Sequence, residues 1–306
     1  MLKCYYCLDI TLTMNQTSNQ DILSVCYHDI FDYPLNEIEI KRWVTGIKAR
    51  KVYRIKNIKL NKVGNYITIK GREFLVNKSK KYTEYSNEKI KIAKNTASLI
   101  GKIPTVKLVA LSGSLAMNSA KKNSDIDLMI ITEKGTLWST RAFVWVLLKI
   151  IKTPLRKPHE KKEKDKLCLN LWLDDSSMVW EKNKRNIYTA HEISQLKPLI
   201  DKKDTYIKLR RLNEWTYKYW PNSGEILAGK DGNLLKIHNN NEKMNDFLRL
   251  FFSRLLILTE PIFFQLQFLY MRNKVTNETI SRNIALFHPN NMSDHVRNRL
   301  EKYCIN

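Results

Sequence analysis

The sequence predicts an α+β protein with a small mixed β-sheet at its core. A small module of helices and a β-hairpin precedes this core, and an α-helical domain follows it. Three mostly apolar runs of strand length, at 106–111, 126–131 and 167–173, predict the sheet because each is bounded by turns or polar segments. Helix and hairpin patterns before residue 80 and long helical patterns after residue 181 predict the two flanking regions.

Residues 21–80 are predicted to form a winged-helix-like module. Asp21 can cap a helix that runs toward Phe31, and Asn36 can cap a second helix. The Gly64-Asn65 pair with its β-prone neighbours predicts a hairpin, so the element order is that of a winged helix. Its basic residues fit either nucleic-acid contact or a packing module with a solvated surface. They are Lys41, Arg42, Arg50, Lys51, Arg54, Lys56, Lys59 and Lys62.

The remaining regions follow from the helical patterns. A long helix over Glu73–Ile100 leads into the first strand and ends where Gly101 and Pro104 stop it. Further helices are predicted from Tyr188, over Met244–Lys274 and over Asn277–Leu286. In the helix from Tyr188, His191 and Glu192 are interpreted as capping or surface groups. The expected regions are an N-terminal tail at 1–20, the winged-helix-like module at 21–80, the core with its lead-in helix at 81–180, and the α-helical C-terminal domain at 181–306.

The charge and the cysteines bear on partners and location. A formal net charge of +23 favours polyanionic partners, namely nucleic acid, nucleoside triphosphates or an anionic membrane surface, unless it is only a compositional bias toward lysine. Five cysteines without a repeating spacing fit a reducing cytoplasm, and Cys4 and Cys7 are only half of a zinc site. Charged residues interrupt the apolar stretch at 247–270, and no secretory signal is evident. We therefore expect a cytoplasmic protein without a membrane partner.

The stretch from Val106 to Thr132 carries the chemistry. Its first strand is followed by a turn at Gly113 and Ser114, where backbone N–H groups and a hydroxyl can approach phosphate closely. Its second strand begins around Asp125 and Asp127, which project from the same side because strand side chains alternate. Two ionised carboxylates repel each other beside a core, and a divalent cation is the usual way to hold such a pair.

This arrangement resembles the signature of the polymerase-beta-type nucleotidyltransferase superfamily. That signature is a Gly-Ser turn after a strand, a short helix, and then Asp-x-Asp on the next strand. The wider sequence is also similar to a group of bacterial and archaeal proteins that join a winged or helical N-terminal segment, a nucleotidyltransferase core and a helical C-terminal part. The segments that carry this second resemblance are Phe31–Leu35, Gly71–Glu73, Leu137–Arg141 and Ala190–Glu192.

The resemblance implies roles for individual residues. Asp125 and Asp127 would be the catalytic residues, and with Asn170 they would hold Mg²⁺ or Mn²⁺. Gly113 and Ser114 would bind the phosphates of an NTP such as ATP. Further candidates for nucleotide contact are Ser124, Lys121, Lys122 and Arg141. For Arg141, near the start of the next helix, a salt bridge to an acidic neighbour is the alternative interpretation.

The third strand departs from the superfamily pattern. Where a third carboxylate is expected among apolar residues, this chain has Asn170. An amide oxygen can bind a metal, but an amide cannot act as the general base for a hydroxyl nucleophile. Asp174 shares the alternation phase of Asn170, and it would reach the site only if the strand ended and bent.

These features predict a metal-dependent nucleotidyltransferase that moves an NMP from an NTP to an acceptor, which is an RNA, a protein or a small molecule. The alternative is a weak or inactive protein of the same fold that binds nucleotide or nucleic acid, in a regulatory or toxin–antitoxin role. The substitution at Asn170 favours this alternative, since it removes the expected proton acceptor.

Overall fold

A computed structural model describes residues 19–157, 160, 162–228, 246–272, 279–287 and 292–305 of the chain. Several predictions made from the sequence fall outside these ranges. They are the N-terminal tail up to residue 18 and the Cys4 and Cys7 pair.

The N-terminal part is a helical module with a three-stranded antiparallel sheet. Its elements are α1 (Asn19–Asp29), β1 (Leu35–Asn36), α2 (Glu37–Arg42), α3 (Ile47–Val52), β2 (Leu60–Val63) and β3 (Tyr66–Ile69). The sheet order is β1-β3-β2. Asn36 caps α2 as predicted, because its side chain accepts from the backbone N–H groups of Ile38 and Glu39 while the Glu39 carboxylate accepts from the Asn36 N–H. Helix α3 was not predicted from the sequence, because it lies among basic residues that show no clear helical pattern.

The central part contains the predicted long helix and the three predicted strands. Its elements are α4 (Phe74–Gly101), β4 (Val106–Leu111), α5 (Gly113–Ala116), β5 (Ile126–Thr132), α6 (Leu137–Ile150) and β6 (Leu167–Asp174). Strand β5 pairs antiparallel with β4 and parallel with β6, which makes the sheet mixed. The predictions of α4 and of these strands are confirmed, since each had a continuous local pattern.

The domain at 181–306, expected to be α-helical, also contains strands among its described residues, and in this respect the expectation is wrong. The elements there are α7 (Ile187–Gln195), β7 (Lys197–Asp201), α8 (Thr205–Leu212), α9 (Asp246–Met271), β8 (Thr279–Ile280), β9 (Ile284–Leu286) and α10 (Met292–Glu301). Three of them extend the central sheet to the order β7-β4-β5-β6-β9-β8. The helix predicted over Asn277–Leu286 is instead the β8–β9 hairpin, because β9 pairs with the free edge of β6.

The sheet is covered on both faces. Val109, Leu128 and Ile130 belong to a buried cluster that also contains residues of α4 and α6. Met129 and Ile131 point the other way, into a cluster that includes Leu209 of α8 and other residues from beyond the core strands. A third cluster joins the N-terminal module to α7 and α10. The N-terminal module therefore shares its hydrophobic core with the C-terminal elements.

Helix α9 packs on the core with both polar and apolar side chains, and it exposes further apolar side chains on its outer side. Glu260 accepts from the Trp138 N–H of α6 at 2.8 Å, and Gln267 donates to the Trp138 carbonyl at 2.8 Å. Its outward residues include Phe251, Leu258 and Ile262, which are 60%, 75% and 60% exposed. Within the described ranges, no helix combines the length and apolar character that crossing a bilayer requires.

Candidate active site

Gly113 provides the tight turn between β4 and the rest of the site. Its φ of +57° lies in the left-handed region, which favours glycine. A Cβ at this position would lie only 2.9 Å from Oδ2 of Asp127. The Ser112 N–H also donates to the backbone carbonyl of Asp127 at 3.1 Å. The glycine therefore allows the turn to lie directly against the Asp127 carboxylate.

Asp125, Asp127 and Cys168 bring their ligand atoms within 4.8 Å of one another. The Asp125 carboxylate accepts a hydrogen bond from Nη1 of Arg156 at 2.6 Å. Asp127 has no cationic partner of this kind among the described residues; its Oδ1 accepts from Nδ2 of Asn170 at 3.1 Å. Burial, followed by the charge of Asp125, raises the pKa of Asp127 to about 7. The pair therefore resists double ionisation unless positive charge is supplied.

Asn170 leaves an acceptor atom free beside these carboxylates. Its side chain is buried, and within the described part of the chain its Oδ1 has no hydrogen-bond partner. A buried acceptor without a partner costs about 1–3 kcal/mol, so the site favours a bound group that would occupy it. Two carboxylates and one amide oxygen form a ligand set that suits a hard divalent cation. Burial raises the pKa of the Cys168 thiol, which makes it a poor ligand by comparison.

A cavity of about 460 Å³ contains the centre of this site. Six residues predicted from the sequence line it: Gly113, Ser114, Lys121, Ser124, Asp127 and Asn170. The other wall belongs to α7 and to the turn after α1. Its residues include His28, Phe31, Asp32, Tyr33, Tyr188, His191, Glu192 and Gln195. The cavity therefore lies between the central sheet and the N-terminal module.

Two predicted contact residues lie away from the cavity. Lys122 is exposed, and its carbonyl accepts from Nζ of Lys89 at 3.3 Å. Arg141 is hydrogen-bonded to Gln267 of α9, and its guanidinium lies 4.7 Å from the ring centroid of Phe287. Burial lowers the pKa of Arg141 to about 10. Arg141 therefore does not line the cavity, and among the described residues it forms none of the salt bridges considered as the alternative.

Asp174 does not replace the missing carboxylate. It is fully buried, and its two oxygens accept from the backbone N–H groups of Gly135 at 3.1 Å and Ser176 at 2.9 Å. Strand β6 continues to Asp174 without the bend that would have brought this side chain to the cavity. Asp174 is instead a structural acceptor for the turns that follow β5 and β6.

The cavity wall that contains His191 and Glu192 of α7 was not predicted from the sequence. His191 and Glu192 were expected to be capping or surface groups, but Asn186 caps α7 and both side chains face the cavity. Nε2 of His191 lies 3.1 Å from Nε2 of His28 on α1. Arg156 was also missed, because it lies in a charged loop without a pattern. Cys168 had a usable signal, since it precedes Asn170 by two residues on the same strand.

Comparison with known proteins identifies the central part of the chain. Residues 90–199 match the nucleotidyltransferase domain family. One similar solved structure is a toxin–antitoxin complex with AMP-PNP, at 14% identity and a TM-score of 0.26, covering 44% of this chain and 94% of that chain. Another is the STING-associated CdnE c-di-GMP synthase from Capnocytophaga granulosa, at 17% identity and a TM-score of 0.25, covering 72% of this chain and 79% of that chain. No curated protein sequence matches the chain. The matched segment, residues 90–199, holds the Gly-Ser turn, both aspartates and Asn170, and it is this part of the chain that is similar to nucleotidyltransferase domains.

Proposed function

We propose that this protein is a metal-dependent nucleotidyltransferase that moves an NMP from an NTP to an acceptor. One observation carries the proposal. Gly113, Asp127 and Asn170, whose Oδ1 has no hydrogen-bond partner among the described residues, line one cavity within the segment that matches the nucleotidyltransferase domain. The proposal therefore rests on both the ligand atoms and the family of the segment that supplies them.

The residues present fit a divalent cation, Mg²⁺ or Mn²⁺. Asp125, Asp127 and Oδ1 of Asn170 would hold it, since they offer oxygen ligands and since ionising both aspartates is otherwise unfavourable. When bound, such a cation neutralises charge that develops on the transferred phosphate. Arg156 already supplies one positive charge at Asp125, so it would hold that carboxylate in place.

The phosphates of the NTP would lie along the Gly113 turn. Its backbone N–H groups and the Ser114 hydroxyl offer hydrogen-bond donors. Ser124 lines the same cavity, where its hydroxyl donates to the Lys121 carbonyl, and the Lys121 side chain adds a positive charge at the cavity wall. We leave Lys122 and Arg141 out of this set because neither lines the cavity. The acceptor would enter against the opposite wall, which α7 and the turn after α1 provide.

Transfer of labelled nucleotide tests this proposal. Incubated with cell extract and Mg²⁺ or Mn²⁺, the protein should move label from α-³²P-labelled NTP onto an RNA, a protein or a small molecule. The same incubation with γ-³²P-labelled NTP should leave no label on that acceptor, because the γ-phosphate departs with pyrophosphate. Label transferred from the γ-position would instead indicate a kinase and would contradict the proposal.

A second candidate function is nucleic-acid binding by the N-terminal module. We propose that residues 21–80 form a winged helix, since their element order and the β1-β3-β2 sheet order fit that arrangement. Lys51 on α3 and Lys59 next to β2 are both exposed. A chain that binds nucleotide without turnover, in a regulatory or toxin–antitoxin role, would act through such a surface.

A gel-shift salt series tests the second candidate. If the module contacts phosphates, the Lys51→Glu/Lys59→Glu variant should bind duplex DNA at least about tenfold more weakly and should lose roughly two from the log–log salt slope. The matched control is Lys134→Glu/Lys182→Glu, which changes net charge equally at exposed lysines outside the module. Equal weakening in both variants would show that net charge alone drives the binding.

A further inference from the structure

Transfer to a hydroxyl requires a group that takes the hydroxyl proton, and β6 does not provide one. Asn170 is the residue of β6 that lines the described part of the cavity, and an amide does not accept a proton near neutral pH. Asp125 is paired with Arg156, and Asp127 faces the proposed metal position. The proton acceptor must therefore come from another part of the cavity.

Two more carboxylates line the described part of the cavity, and only one is free of cations. Asp32 forms ion pairs with Arg72 at 2.7 Å and with Lys78 at 3.8 Å, so its charge is already compensated. Glu192 has no lysine or arginine within ion-pair distance among the described residues. Its Oε1 accepts one hydrogen bond, from Nε2 of Gln195 at 2.6 Å.

The position of Glu192 is fixed by the helix that carries it. The Asn186 side chain accepts from the backbone N–H groups of Tyr188 and Thr189 and so defines where α7 begins. Ile187, Ala190 and Ile193 bury one side of this helix. The next side of α7 directs Glu192 and Gln195 into the cavity that Asp127 lines from the sheet. The carboxylate therefore occupies a rigid element opposite the paired aspartates.

The electrostatics of Glu192 suit proton transfer. Burial raises its pKa to about 8, and the charge of Asp127 contributes to this shift. A carboxyl group with a pKa near the working pH is an effective acid–base catalyst, because it takes and returns a proton readily. Glu192 and Asp127 both line the same cavity.

We propose that Glu192 is the general base of the transfer reaction, acting on an acceptor hydroxyl from the wall opposite Asp127. This inference rests on the proposed nucleotidyltransferase function. In the reaction, the acceptor oxygen bonds to the α-phosphorus while the bond from that phosphorus to the bridging β-oxygen breaks. Pyrophosphate leaves with the electron pair. The hydroxyl proton passes to the Glu192 carboxylate and from there to solvent.

The Glu192→Gln substitution tests the assignment. We expect pyrophosphate release from Mg-NTP, measured with cell extract present and with water alone, to fall by about 10²–10⁴-fold, the usual contribution of a general base. The affinity for Mg-NTP, measured by calorimetry, should stay within about twofold because Glu192 does not hold the nucleotide. The control is Glu181→Gln, which changes an exposed carboxylate that pairs with Lys184 before α7.

Chemical rescue separates catalysis from structure. Formate should restore pyrophosphate release to Glu192→Ala, whereas chloride at the same ionic strength should not, since only formate supplies a carboxylate. Failure of the wild-type chain to bind Mg-NTP would overturn the proposed function itself. Binding without pyrophosphate release by the wild type would overturn the proposed function as well. If the wild type does release pyrophosphate, the base assignment is wrong should Glu192→Gln release it at the wild-type rate or should formate not rescue Glu192→Ala.

Discussion

The Asp127→Asn variant should bind no measurable Mg-NTP, yet in metal-free buffer above pH 7 it should be more stable than the wild-type chain. Binding is lost because the amide removes one of the two charges that would hold the cation. Stability rises because burial and Asp125 make the ionised Asp127 carboxylate unfavourable in the folded state. A shift of the Asp127 pKa from 3.8 to about 7 corresponds to a cost of about 4 kcal/mol for ionising Asp127 in the folded state. Because the folded protein relaxes and the Asn170 contact remains, we expect the variant to gain roughly 1–3 kcal/mol in its free energy of unfolding.

The direction in which the stability of the fold changes with pH identifies Asp127 as the titrating group. Because its pKa is raised on folding, Asp127 in the folded protein binds more protons than in the unfolded chain. It therefore contributes stability that is full below about pH 4 and is lost as pH rises toward 7. Urea unfolding of metal-free wild type and Asp127→Asn should diverge across this range, and Mg²⁺ should restore the wild type alone.

The matched control for this prediction is Asp201→Asn. Asp201 ends β7, and burial raises its pKa as well, but it does not line the cavity. This variant should bind Mg-NTP as the wild type does. Calorimetry showing equal Mg-NTP affinity for Asp127→Asn and wild type would refute the metal assignment.

Acidification should destabilise the wild-type chain through His28 and His191. Their Nε2 atoms are 3.1 Å apart and buried, so one neutral ring donates to the other, and protonating both would remove the acceptor. Burial lowers the pKa of His28 to about 4, and burial with His28 lowers the pKa of His191. Below pH 6.5 the unfolded chain therefore binds more protons than the folded chain. The free energy of unfolding therefore decreases as the pH is lowered from about 6.5 to 4, and His28 alone accounts for roughly 3 kcal/mol of this decrease.

A double variant isolates this contribution from that of the other titrating groups, such as Asp127 and Glu192, whose raised pKa values make acidification stabilising. In His28→Gln/His191→Gln, two amides can still share a hydrogen bond but do not titrate. Its free energy of unfolding should therefore fall less than that of the wild type between pH 6.5 and 4. His295→Gln, at an exposed position on α10, should behave as the wild type does. Parallel pH curves for the double variant and the wild type would rule out the histidine pair as the cause.

Elements with a complete local signal were predictable from the sequence. Asn36 carries its own capping box, and Gly101 with Pro104 marks the end of α4. Strand β7 gave no such signal, because Pro198 and two flanking helices obscure a short edge strand that is defined by pairing with β4. The β8–β9 hairpin likewise depends on pairing with β6, so its sequence alone read as a helix.

The site was predictable where its residues share one motif. Gly113, Asp125 and Asp127 were predicted from spacing and alternation, and Asn170 was predicted because the family resemblance implies a ligand on the third strand. Arg141 was chosen because it is close in sequence to this motif. Helix α6, however, packs on the sheet face of Leu128 and Ile130, whereas Met129 and Ile131, in phase with Asp127, face the other way.

The opposite wall could not be predicted by the same means. Glu192 and His191 reach the cavity only because α7 packs between the sheet and the N-terminal module. Their spacing along α7 fits a solvated helix face as well as a buried one. Contacts between segments that are far apart in the chain produce no periodic pattern in a single sequence.

Helix α9 makes the colloidal behaviour of the chain depend on salt. Its outward side chains, including Phe251, Leu258 and Ile262, form an apolar surface, while the whole chain carries a formal net charge of +23. At low ionic strength the mutual repulsion of like-charged molecules opposes contact between these surfaces. Near 1 M salt the screening length shrinks to about 3 Å, so attraction between apolar surfaces is no longer opposed at a distance. Helix α9 therefore stays attached to α6 with an apolar side exposed. The repulsion between the net positive charges of separate molecules is then what opposes their association.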